Sequence, residues 1–109
     1  MKLFLTGVLV ALTGLSATQR PQTYTGTITD DICAGDAHAG MRMGPTDADC
    51  TRLCVLSHGA RYVLLDGKAV YTLSDQKGPE AFAGQKVRVV GTLDARTKIL
   101  SVNSISAAD

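Results

Sequence analysis

Three cysteines and two histidines, the only ones in the chain, fall within one 26-residue window: Cys33-x4-His38, followed by Cys50-x3-Cys54-x3-His58. Thiolate sulfur and imidazole nitrogen are the usual donors to zinc, and two thiols can instead join as a disulfide. Cys33, His38, Cys50 and Cys54 together make a Cys3His set, which suits a tetrahedral zinc ion. The spacings are looser than the Cys-x2-Cys of a zinc knuckle, so the set depends on the fold to assemble it. Met41 and Met43 add thioethers, which with thiolates would favour Cu(I), although single methionines in a Gly-rich loop also serve as adaptable apolar caps. Zinc therefore ranks ahead of copper. His58 falls at the end of an expected helix, where it suits the negative end of the helix dipole better than a ligand role.

A disulfide is the alternative. In an oxidising compartment Cys33 could bond to Cys50 or Cys54, tying a loop to a helix and contributing on the order of 3 kcal/mol. Three cysteines leave one sulfur over in that case. Cys50 and Cys54, four apart on one helix, do not meet disulfide geometry. Catalysis is disfavoured: the spacing is not Cys-x-x-Cys, no Asn or Asp is evidently placed to orient His38, and no catalytic residue is assigned. Covalent haem is disfavoured too, since Val55 rather than His follows Cys54. Asp30 and Asp31 read as a strand-ending pair that caps a surface turn.

The elements that must position these groups follow from local patterns. TYTGTIT from Thr23 to Thr29 alternates and is rich in β-branched residues, so a first strand is expected over Tyr24–Thr29. The span from Ala34 to Pro45 has neither period and reads as a Gly-rich loop. Thr46 or Asp47 can cap a helix over Asp47–His58, with acidic residues in its first turn and Gly59 at its C-cap. On such a helix positions four apart drift by only about 40°, so Cys50 and Cys54 share a stripe. Asp66-Gly67 between two β-rich runs predicts a hairpin with a type I′ turn, in which Leu64 faces Ala69 and Tyr62 faces Tyr71 as a cross-strand aromatic pair. A short helix around Pro79–Ala83 and a final hairpin, Lys86–Leu93 with Lys98–Ile105, complete the pattern.

Residues 1–17 carry one positive charge, an apolar stretch from Leu3 to Leu15 and a small residue at Ala17. This is the pattern of a cleaved signal peptide; the run is shorter than the roughly 20 residues of a membrane span. The expected product is periplasmic or secreted: a flexible segment over 18–23 and one domain over 24–106. With Lys2 removed, ten Lys and Arg balance ten Asp and Glu, scattered along the chain. That balance and the scarcity of aromatic rings argue against nucleic acid, which needs an excess of cations or stacking platforms. A domain this small gains from a staple such as a metal or a disulfide.

Five strands with a short helix between the third and fourth describe a mostly β, five-stranded OB-like barrel. The Cys/His-rich helical insertion, 31–60, lies between strands one and two, a connection that borders the usual ligand face of such barrels. GQKVRVVGTLD (84–94) resembles the entry to strand four of small secreted bacterial OB-fold proteins. GTITDDIC (26–33), His38, CTRLCV (50–55) and GARYVL (59–64) are similar to a family of small secreted bacterial OB-fold-like proteins of unknown function. The resemblance spans nearly all of Thr25 to Ile105 and implies a fold and an address, with no activity to carry over. The expected function is transition-metal binding through the Cys/His cluster; the alternative is a disulfide-stabilised module that binds a small ligand, a glycan or a protein partner without metal.

Overall fold

The computed structural model describes residues 20–34 and 45–108. The fold is mostly β: strands β1 (Gln22–Asp30), β2 (Tyr62–Asp66), β3 (Ala69–Leu73), β4 (Lys86–Asp94) and β5 (Ile99–Ala107), with helix α1 (Asp47–His58) between β1 and β2 and a 3-10 turn (Gly78–Phe82) between β3 and β4. The strands close in a ring in the order β1-β2-β3-β5-β4. β1 makes closure geometrically feasible by serving two neighbours. Its first part runs antiparallel to β4, from Gln22 opposite Gly91 to Thr27 opposite Lys86, and its last part to β2, from Thr27 opposite Leu65 to Asp30 opposite Tyr62. At this change of partner a Cβ on Gly26 would run into the Leu65 carbonyl oxygen, so only glycine allows the approach.

The alternation read from the sequence sets the inward face. Ile28, Leu64, Leu73, Val87, Val89 and Leu100 are fully buried, joined by Tyr62 and Ala83, and each large apolar side chain removed from water contributes about 1.5–3 kcal/mol. Between Val90 and Gly91 the register shifts by one residue, with Asn103 of β5 as the extra residue that bends β5 against β4. The ring is closed on the remaining side by a short parallel pairing, Thr72 with Ile99 and Leu73 with Leu100.

Two features of the β2–β3 hairpin differ from the sequence expectation. Asp66 pairs with Ala69 and Leu64 with Tyr71, so Gly67 and Lys68 form the two-residue loop. Gly67 has a φ of 63°, while Lys68 is not among the residues with positive φ; that excludes type I′, which needs positive φ at both central positions. The shift of two positions keeps every side chain on its expected face but changes the pairing. Tyr71 meets Tyr24 of β1 edge-on, with ring centroids 5.9 Å apart, instead of Tyr62. Tyr62 is matched by a side chain: Gln76 Oε1 accepts from its N–H at 2.8 Å, and Gln76 Nε2 donates to the Tyr62 carbonyl at 3.0 Å and to the Leu73 carbonyl at 2.9 Å. The Gln76 amide thus stands in for a strand neighbour.

Helix α1 begins and ends as its caps dictate. Thr46 has extended backbone and its Oγ1 accepts from the Asp49 N–H at 3.1 Å, while Gly59, at φ 70°, stops the helix in the left-handed conformation. The helix buries Cys50, Thr51 and Cys54. Its first turn is seated against Gly84, where φ is +77° and a Cβ would lie 2.9 Å from the Ala48 nitrogen. Gly84 in turn donates its N–H to the Ile28 carbonyl at 2.8 Å, so the same glycine joins helix and strand β1.

Candidate metal centre

The three cysteines, 21 residues apart at their extremes, come together under α1. Cys50 and Cys54 lie one helical turn apart on the buried stripe, and Cys33 lies three residues beyond the end of β1. The ends of the connection between β1 and β2 are tied to each other. Asp31 donates its N–H to the Arg61 carbonyl at 3.0 Å, and its Oδ1 accepts from the Arg61 N–H at 3.1 Å. Cys33, Cys50, Cys54 and Ala60 form a small buried cluster of their own, and Val55 packs against both this cluster and the barrel core.

All three sulfur atoms lie within 4.8 Å of one another, and Cys33 Sγ is 3.9 Å from Cys54 Sγ. That is almost twice the bond length of a disulfide, about 2.05 Å, and no disulfide joins the three cysteines. It is close to the edge of a ZnS4 tetrahedron, which a Zn–S distance of about 2.3 Å makes roughly 3.8 Å. Cys50 and Cys54 are fully buried and Cys33 nearly so.

The electrostatics are those of a site that resists anions unless a cation joins them. Burial, assisted by the Asp30 carboxylate and by a hydrogen bond with Cys54, pushes the Cys33 thiol up to about 12. Burial and then Asp30 also raise the Cys54 thiol above its ordinary value. A metal ion inverts this logic, since its positive charge stabilises the thiolates it binds.

Of the residues singled out from the sequence, Cys33, Cys50 and Cys54 are brought together, while His38, Met41 and Met43 lie outside the described residues. His58 is exposed in the last turn of α1. The reading of Asp30 and Asp31 as one surface pair is half right. Asp31 is exposed as expected, but Asp30 is fully buried and it is Asp30 that caps the turn. Asp30 Oδ2 accepts from the Ile32 N–H at 3.2 Å and the Cys33 N–H at 3.1 Å, and the carboxylate also hydrogen-bonds the Cys54 side chain. A signal for this was present: an Asp three residues before a Cys can cap the turn that delivers the sulfur. Thr29 and Thr51, buried beside Asp30 and Cys50 in sequence, were not singled out.

The molecule thus belongs to a definite structural class: a small closed five-stranded sheet carrying a buried three-cysteine cluster that could hold a metal ion. Comparison with protein-family models, with curated proteins and with solved structures finds no match. Among the described residues no helix is long and apolar enough to cross a membrane.

Proposed function

We propose that this is an exported OB-like domain that binds a transition metal, zinc ahead of copper, through Cys33, Cys50 and Cys54, with His38 as the fourth donor. The observation that carries the proposal is the convergence of three sulfurs to within 4.8 Å of one another, from a loop and two turns of a helix. Buried cysteines are common in cores, but three at ligand separation beside a buried carboxylate are costly to assemble for packing alone. The ring order β1-β2-β3-β5-β4, with the helix on the first connection, supports the OB-like assignment. The apolar N-terminal stretch supports export to the periplasm or beyond.

Metal analysis of the purified protein, joined to intact mass and thiol counting, tests the proposal. One zinc or copper per chain, with three reactive thiols after its release in denaturant, is the expected result. A metal-free chain two mass units light, holding a Cys33–Cys54 disulfide across the 3.9 Å gap, would replace the proposal with the disulfide-stabilised module.

A further inference from the structure

The group that distinguishes this site from a plain cysteine cluster is Asp30. Its carboxylate is fully buried at the end of β1 and is fixed from two sides: Oδ2 accepts from the N–H groups of Ile32 and Cys33 at 3.2 and 3.1 Å, and the same carboxylate hydrogen-bonds the Cys54 side chain. It therefore touches both the loop that delivers one sulfur and a sulfur on the helix. A turn at the end of a strand can be capped equally well by a solvated Asp. Burying an anion against prospective thiolates carries a desolvation cost and adds repulsion, unless an ion of sufficient positive charge offsets both.

Resting on the metal reading, we propose that Asp30 is the specificity-determining residue of the cluster, making it prefer a divalent ion of the zinc class over monovalent Cu(I). Three thiolates alone do not make that choice, because soft sulfur ligands suit Cu(I) as well as zinc. A fourth negative charge buried beside the cluster does. Its attraction scales with the charge of the bound ion, so it favours a divalent ion over a monovalent one by one further unit interaction, which in a partly buried setting is worth on the order of tenfold or more in relative affinity.

Asp30→Asn tests this, because the amide oxygen can still accept from Ile32 and Cys33 while the charge is removed. Zn(II) and Cu(I) affinities of the full-length protein are measured separately by chelator competition, and the ratio of the two is the readout. A general change in thiolate basicity or folding moves both affinities in the same direction, and the ratio removes the part they share. The expected result is a fall of about tenfold or more in the Zn(II)-to-Cu(I) ratio, with Asp31→Asn leaving it unchanged. A smaller fall, an unchanged or increased ratio, or an equal effect from Asp31→Asn overturns the inference while leaving metal binding intact. If the unaltered protein binds neither ion, the metal reading fails and this inference with it. Should circular dichroism show that the Asn variant does not fold, Asp30→Ser, which also offers a short acceptor, supplies the same ratio.

Discussion

Raising the pH in the absence of metal should unfold this protein through its buried thiols. The Cys33 thiol has an ordinary value of 9.0 and stands near 12 in the native chain, chiefly because burial penalises the thiolate. Between those values the unfolded chain has lost a proton that the native chain keeps, so the native state binds more protons and stability falls as pH rises. The contribution is fully present below about pH 9 and is lost toward pH 12, at about 1.4 kcal/mol per pH unit. The complete loss of ~4 kcal/mol is a large part of the ~5–15 kcal/mol that holds a typical domain together. Cys54 acts in the same direction, as does Tyr62, whose hydroxyl is raised by burial and then by Glu80. Cys33→Ala therefore serves as the reference, because it removes one ionising group while its cavity cost is independent of pH. Urea unfolding is followed from about pH 7.5 to 10.5 with reductant and chelator present. The unaltered protein should lose ~2 kcal/mol more than Cys33→Ala between about pH 7.5 and 10.5. Equal slopes for the two proteins would refute the account of a desolvated Cys33 thiol.

Metal binding should show the opposite dependence: apparent zinc affinity rises by at least about two decades per pH unit between about pH 6 and 8, because Cys33 and Cys54 must both give up protons. A flat profile in competition titrations would argue that these sulfurs are not ligands. Gln76→Ala removes three hydrogen bonds to the Tyr62 and Leu73 backbone and should cost about 3 kcal/mol in denaturant unfolding; a loss under about 1 kcal/mol would show that another group replaces the amide. Gly84→Ala forces a side chain to φ +77° and against the Ala48 nitrogen, two residues before Cys50. It should lower stability by about 1–3 kcal/mol and weaken metal binding together, and normal values of both would contradict the seating of α1 on Gly84.

Local chemistry made α1 legible to the residue: Thr46, Asp47, Asp49 and Gly59 are cap residues whose effects do not depend on the rest of the fold. The same holds for the inward alternation of Val87 and Val89. The β2–β3 hairpin was legible in place but not in register. Asp66-Gly67 and Gly67-Lys68 are both acceptable two-residue loops around one glycine, and the choice depends on how Leu64 and Tyr71 meet the rest of the ring. Closure also explains Tyr24, which reaches Tyr71 only because β1 and β3 flank β2 on a curved sheet. In the candidate site the three cysteines were readable from residue type and helical period. The burial of Asp30 was not, because nothing local decides whether the last residue of a strand faces solvent or the underside of a helix that follows 17 residues later.

X-ray absorption at the metal edge of the zinc-loaded protein tests the central claim most directly, since it counts the sulfur atoms on the ion. Three sulfurs at about 2.3 Å with one lighter donor are predicted. A shell made only of nitrogen and oxygen, or one sulfur in place of three, would contradict the assignment of Cys33, Cys50 and Cys54 as the site.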